Sequence, residues 1–218
     1  MHLLYWWYNI SPEVFCIKPS KKPILIILCM LLFSAVLGIW IHTSGYVEFQ
    51  NSGLAYLHRS QDKYNLMHQT DANAYTMEID LTDLESNIGK RLWEDGEQYM
   101  EVALVDSNER NAGGYRIFFR SHGVYDFNGG RLTSGIKHSR PRENCTQYEI
   151  VADLITTYNG KSYLANYQGK TGLNEQDGDY FGFYLFPDEA YDEGVPLENA
   201  GKVTITLYNL TEHTWTRK

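Results

Sequence analysis

ANAYTMEIDL, residues 72–81, alternates without a break from Tyr75 onward: Tyr75, Met77, Ile79 and Leu81 are apolar, while Thr76, Glu78 and Asp80 between them are polar. A period of two marks a β-strand with one dry and one wet face, because successive side chains leave a pleated chain on opposite sides. KVTITLYNL, residues 202–210, repeats the pattern, with Val203, Ile205 and Leu207 set against Thr204, Thr206 and Tyr208. Both stretches read as half-buried strands.

Working outward, QYMEVALVD (98–106), YRIFFRSH (115–122), TQYEIVADLITTY (146–158) and KSYLANY (161–167) read as strands from their β-branched and aromatic content. DYFGFYLF (179–186) is apolar on both faces and is interrupted by Gly182. It reads either as a central strand covered on both sides or as a strand that gives one face to a partner. Asn159-Gly160 between two strand runs is a hairpin signal, since both residues tolerate positive φ. Asn128-Gly129-Gly130 and Ala112-Gly113-Gly114 mark further reversals. Only DLESNIGKRLWEDG (83–96) suggests a helical turn or a long loop. Eight or more short strands separated by turns predict one all-β domain over 45–218, an antiparallel β-sandwich of jelly-roll-like type.

A different physics governs KKPILIILCMLLFSAVLGIWIHT, residues 21–43. From Ile24 to Ile41 there is no charge over eighteen residues, about 27 Å of helix against a hydrocarbon core of about 30 Å. The run is longer than the apolar part of a cleaved signal, so an uncleaved transmembrane helix over 23–42 is expected. Lys18, Lys21 and Lys22 precede it, and His42, Thr43, Ser44 and Gly45 follow. The positive-inside bias therefore assigns residues 1–22 to the cytoplasm and the domain to the periplasm or cell exterior. MHLLYWWYNI, the opening decapeptide, has two readings: aromatic rings in the headgroup layer, or a disordered start.

The net charge is −8; Lys18, Lys21 and Lys22 less Glu13 give +2 before the span, so the part after it carries −10, which disfavours a nucleic-acid partner and an anionic lipid surface. Cys16 and Cys29 lie before or within the span, and Cys145 alone lies outside, so no intrachain disulfide is available. A secreted eukaryotic domain of this size usually has several, so a bacterial envelope protein is expected, with Cys145 as a buried small hydrophobe.

Glu78-Ile79-Asp80-Leu81-Thr82-Asp83 approximates an E-x-D-x-x-E spacing, and side chains at i and i+2 share a strand face. The string resembles the catalytic strand of laminarinase-type glycoside hydrolases, with Asp83 where that family has glutamate. The resemblance covers six residues of 218. It implies a jelly roll in which two acids serve as nucleophile and acid/base about 5.5 Å apart, with Glu78, Asp80 and Asp83 as the candidates. An alternating strand with a solvated acidic face accounts for the same letters.

Two oxygen-rich loops, Asn174, Glu175, Asp177 and Asp179, and Asp188, Glu189, Asp192 and Glu193, are the candidates for Ca²⁺, although neither has the EF-hand register. His122, His138 and Cys145 have zinc-type chemistry without a zinc-type spacing. No nucleophile motif, metalloprotease helix or phosphate loop occurs, and no cofactor is expected. Among seventeen tyrosines, Tyr163, Tyr167, Tyr184 and Tyr191 are the candidates for exposed contact with a sugar or a protein. The function expected is non-catalytic: a membrane-anchored binding or assembly module at the cell envelope, contacting another envelope protein. The alternative is a glycan-binding or glycan-cleaving sandwich.

Overall fold

The computed structural model describes residues 21–107, 114–142 and 145–218, with side chains from residue 25 onward. The opening decapeptide, Cys16, Lys18 and the Ala112-Gly113 part of a predicted reversal lie outside the described residues. The chain divides into two units, Met1–Ser44 and Gly45–Lys218.

In the first unit, helix α1 spans Lys21–Ser44. Its large apolar side chains, from Leu25 and Ile26 to Ile39 and Trp40, are exposed all round. Its hydroxyls turn back on their own backbone: Ser34 donates to the Leu31 carbonyl at 2.9 Å and Thr43 to that of Ile39 at 2.8 Å. A helix apolar on every side, with its polar groups satisfied internally, suits hydrocarbon. By length and composition it is able to cross a membrane, as a signal sequence also would be.

The second unit is mostly strand, and every ladder among the described residues is antiparallel. Two short helices, α2 (Tyr46–Ser52) and α3 (Leu54–Arg59), precede the strands. The first sheet runs β1 (Tyr64–Thr70), β15 (Thr211–Arg217), β7 (Gly129–Ser134) and β6 (Val124–Asp126) in spatial order, numbered by position in the chain. The second runs β11 (Lys161–Leu164), β10 (Asp153–Tyr158), β14 (Lys202–Tyr208) and β2 (Tyr75–Asp80). The third runs β12 (Asn166–Lys170), β13 (Gly178–Tyr184), β5 (Tyr115–His122), β4 (Tyr99–Ser107) and β3 (Arg91–Glu94). Strands β8 (Ile136–Arg142) and β9 (Cys145–Ile150) form a separate hairpin, and α4 (Asp188–Asp192) is a single helical turn.

The alternation read in 72–81 and 202–210 is the pairing of β2 with β14, in which Ile79 opposes Val203 and Met77 opposes Ile205. Ile79, Leu154, Val203, Ile205 and Leu207 of the second sheet share one buried cluster with Met100, Val102, Ile117, Phe119, Phe181 and Phe183 of the third. A smaller cluster lies under the first sheet, where Phe49, Leu54, Tyr56 and Leu57 of α2 and α3 meet Tyr64, Leu132 and Trp215. Strand β13 is central, between β12 and β5. A Cβ on Gly182 would stand 2.6 Å from the Phe118 ring, so the glycine is what admits that ring on the second face.

The 146–158 run divides in two at Val151 and Ala152, whose N–H groups both bond the Gly135 carbonyl. Asn159 and Gly160 have φ of 49° and 78°, the turn that the sequence implies. Cys145 is exposed, a correction to the buried site expected: β9 has only β8 for a neighbour, and its side chains from Cys145 to Glu149 remain in solvent.

The 83–96 stretch contains a 3-10 turn, Glu85–Asn87, followed by β3. Asn87 is fully buried there. Its amide nitrogen donates to the carbonyls of Asp80, Asp83 and Leu84, and its oxygen accepts from the Asp80 N–H and the Lys90 ammonium. Truncation orphans those backbone groups. Asn87→Ala should destabilise the detergent-solubilised chain by about 2–4 kcal/mol, read as a lower urea midpoint at an unchanged slope.

Candidate functional site

Three sheets meet at a cleft of about 460 Å³. Gln69 and Thr70 enter it from β1, Asp71 to Asn73 from the β1–β2 loop, and Tyr75 from β2. Trp93 comes from β3, Asp95 and Gln98 from the β3–β4 turn, Arg131 and Thr133 from β7, and Glu212 from β15.

Local hydrogen bonding fixes each wall. The Asp71 carboxylate accepts the Asn73 N–H at 2.9 Å and the Asn73 amide at 2.8 Å, closing an Asx turn. Its second oxygen accepts the Tyr75 hydroxyl at 2.7 Å, which pins the ring. Burial, and then that bond, push the Tyr75 phenol up to about 12, so it remains a neutral donor. The Tyr75 and Trp93 rings meet edge to face with centroids 5.8 Å apart.

On the opposite wall, Asp95 accepts the N–H groups of Glu97 at 2.9 Å and Gln98 at 2.7 Å, while Gly96 makes the turn at φ 93°. Partial burial works to raise the Asp95 carboxyl; those N–H groups and the Arg131 charge outweigh it and hold the group below its ordinary value, ionised. Gln98 is only 2% exposed, and its side-chain oxygen accepts the Thr133 N–H at 2.9 Å, tying the third sheet to the first. Arg131 donates to Glu97 and stands 3.9 Å from Glu212.

None of the acids read from the sequence as catalytic lines this cleft. Glu78 is exposed on β2 and paired with Lys202 at 2.6 Å. Asp80 accepts the Thr82 hydroxyl at 2.6 Å and the Thr82 N–H at 2.9 Å. Asp83 accepts the Ser86 N–H at 3.3 Å. All three make turn or surface contacts.

Of the tyrosines, Tyr167 is 44% exposed on the edge strand β12, and Tyr184 is half-buried on β13 opposite Arg116. Tyr163 packs edge-on against Phe186 at 5.7 Å. Tyr191 corrects the expectation of exposure: it is 8% exposed, stacks its edge on Phe186 at 6.0 Å, and accepts the Tyr115 N–H on its hydroxyl at 3.0 Å.

The oxygen-rich loops do not converge on a cation. Asp177 accepts His122 Nδ1 at 2.8 Å and Arg120 at 3.1 Å. Asp179 is fully buried, and Asp188 and Asp192 lie on α4. Among the described residues, no group of three or more His, Cys, Asp or Glu is arranged to hold a metal. His138 is buried and Cys145 exposed, so the zinc-type trio is not assembled either.

Asp179 belongs to a second polar centre that sequence reasoning missed. Its carboxylate accepts the Ser134 hydroxyl at 2.8 and 2.9 Å and faces His138 Nε2 at 2.5 Å. These are the residue types of a nucleophilic triad in the wrong order: the carboxylate is central, and the serine proton is directed to the acid instead of to the imidazole. Around them, the His138 ring lies 5.8 Å from His58 and 5.2 Å from His213, and His68 lies 5.2 Å from His213. His213 is held neutral by geometry, since Nε2 accepts the His138 N–H at 3.0 Å and Nδ1 therefore donates to the Leu132 carbonyl at 3.1 Å. Burial, and then the neighbouring His138, push His213 well below its ordinary value. Burial, then His138, Arg140 and His68, push His58 down to about 3.

No protein-family model matches the chain, and no curated protein and no solved structure matches it significantly. What fold and site define is a class: an antiparallel β domain, following an apolar helix, with a polar cleft that carries an aromatic pair. The cleft offers donors, acceptors and two ring surfaces, without a serine or cysteine nucleophile.

The buried imidazoles make stability depend on pH. Because His58 and His213 have depressed values in the folded state, the unfolded chain binds more protons below 6.5, and stability falls as pH drops from there towards the folded value. For His58 the loss between pH 7.5 and pH 5 is about 2 kcal/mol. His58→Phe keeps a ring against Trp215 and removes the titration. Urea midpoints across that range should fall less steeply for this variant than for the unaltered protein.

Proposed function

We propose that the protein is a single-pass, membrane-anchored β-sandwich of jelly-roll-like type that binds a glycan at the cell envelope without cleaving it. In this reading the amino terminus is cytoplasmic and the domain from residue 45 onward faces the periplasm or cell exterior. The shared core of the second and third sheets supports the sandwich. The uncharged helix and the lysines before it support the topology.

The observation that carries glycan binding is the cleft. Sugars present an apolar C–H face and a rim of hydroxyls, and the cleft pairs half-buried Tyr75 and Trp93 with Asn73, Asp95, Gln69 and Glu212. Its walls are fixed by their own hydrogen bonds, so little ordering cost remains for binding. The surface contacts of Glu78, Asp80 and Asp83 favour binding over hydrolysis.

A second reading, contact with another envelope protein, draws on the outer face of the third sheet. There Leu104 is exposed beside half-buried Phe118 and Tyr184, with Arg116 and Asp106 paired along the rim at 2.5 and 2.7 Å.

Affinity electrophoresis of the detergent-solubilised chain through a panel of polysaccharides separates the two. Retardation is the expected result, with Trp93→Ala weakening it about tenfold and Glu78→Gln leaving it unchanged. Absence of retardation on every gel, with a stoichiometric protein co-purifying from detergent extracts, would favour the second reading. Protease added to sealed cells should degrade the domain, and its full protection would refute the topology.

A further inference from the structure

A second cavity, of about 90 Å³, lies between α3, the β8–β9 hairpin and the loop after β12. His58 and His138, 3% and 0% exposed, line it together with the more exposed Thr146, Tyr148 and Asn174. A space of that size holds an ion with one or two waters and is too small for a sugar ring.

Buried imidazoles normally spend their nitrogens on partners, as His213 does. Neither nitrogen of His58 is hydrogen-bonded by a described protein group, and the same holds for His138 Nδ1. The Ser139 backbone lies close enough to favour a proton on the His58 ring, without the geometry of a hydrogen bond. His138 Nε2 faces the buried Asp179 carboxylate at 2.5 Å and carries its proton there, so Nδ1 presents a lone pair. His58, which burial keeps uncharged, also retains a lone pair on one nitrogen. Asp179 is in turn held by the Ser134 hydroxyl. A histidine whose far nitrogen is fixed by a hydrogen-bonded carboxylate is oriented as metal-ligating histidines are.

The spacing of the rings fits the same chemistry. With metal–nitrogen bonds of about 2.0–2.1 Å, two imidazoles on one ion have their centres about 5 to 6 Å apart. Those of His58 and His138 stand 5.8 Å apart, with the rings inclined at 71°. His213 is also near His138, at 5.2 Å, but its nitrogens are spent on the His138 N–H and the Leu132 carbonyl. Among the described residues no third His, Cys, Asp or Glu completes the set. Formal charges about the cavity cancel: Asp179 against Arg140, which donates to the His58 and Tyr64 carbonyls, and Glu48 against Arg59, 3.5 Å apart. Selection therefore falls to nitrogen lone pairs, which favour zinc-like ions over Ca²⁺ and Mg²⁺.

We propose that His58 and His138 Nδ1 together bind a divalent d-block ion of the zinc type, its remaining positions taken by water and by neutral oxygens of the cavity rim. The ion ties α3 to β8, and its site shares no lining residue with the polar cleft.

The test uses the full chain in detergent micelles at about pH 7.5, where imidazole is mostly neutral, with its thiols alkylated so that Cys145 takes no part. Calorimetric titration with Zn²⁺ should show one equivalent bound per chain, and Ca²⁺ and Mg²⁺ should show none. X-ray absorption at the zinc edge should show two imidazole nitrogens at about 2.0–2.1 Å, with oxygen in the other positions. His58→Phe, which removes no hydrogen bond to a protein group, should lower the Zn²⁺ affinity at least about tenfold, while His122→Gln leaves it unchanged. Absence of Zn²⁺ uptake by a chain whose circular dichroism is that of a folded β protein would overturn the proposal, as would uptake that His58→Phe does not weaken. An absorption spectrum without two imidazoles would overturn it on the unaltered protein, whether or not the variant folds.

Discussion

Asp179 has no exposure, and a carboxylate taken out of water must be met by donors or remain a large uncompensated cost. Its donors come from elsewhere in the chain: Ser134 at the end of β7 and His138 on β8. Ser134 in turn accepts the Ile136 N–H at 3.0 Å, and the His138 N–H is spent on His213 of β15. One buried charge on the third sheet thereby fixes where the first sheet and the β8–β9 hairpin sit. Removing any one partner leaves a charge or an imidazole unanswered, which is why the centre acts as a unit.

The same centre marks the limit of what was legible in the sequence. The strands of the second sheet, and β4, β5 and β13 of the third, were readable because their inward positions, such as Ile79, Val203, Ile205, Phe119 and Phe181, are apolar. Strands β1, β7, β8 and β15 were not. In TEHTWTR the inward positions are Thr211, His213 and Trp215, and in IKHSRPR they are Ile136 and His138, so polar letters occupy dry sites and the alternation disappears. A period-two argument detects hydrophobicity, and it cannot detect a polar group whose partner arrives from a distant strand. The pairings of His138 with Asp179 and His213, across 41 and 75 residues, have no local signature.

The cleft was hidden for a related reason. Tyr75 was visible, though only as a strand residue. Trp93 stands in the tract that read as a turn, beside Glu94, Asp95 and Gly96, and a large aromatic entering a tight acidic turn was the one available signal. Gln98 comes from the β3–β4 turn and Arg131 and Glu212 from two strands, the latter two brought together by register: Arg131 lies opposite Thr214 and Thr133 opposite Glu212 in the β15–β7 ladder. Acids that stand together in the chain, as in 78–83 and 174–179, attract attention on the page. In the fold they are consumed by neighbours such as Lys202, Thr82, His122 and Arg120.

On the proposed reading, a membrane anchor would alter what the cleft has to achieve. One aromatic pair and a few hydrogen bonds give modest affinity for a single saccharide, because association must first offset lost translational freedom. A polymeric ligand changes that balance. Copies held in one plane would engage successive units of the same polymer, and each engagement after the first would be intramolecular, at an effective concentration set by spacing. The anchor would then supply avidity that a single cleft lacks, and the cleft would supply the recognition that the anchor lacks. On that argument the pre-formed walls matter more than their area: Asp71 on Tyr75, Asp95 under its two N–H groups and Gln98 on Thr133 keep each weak contact in the same geometry at every copy.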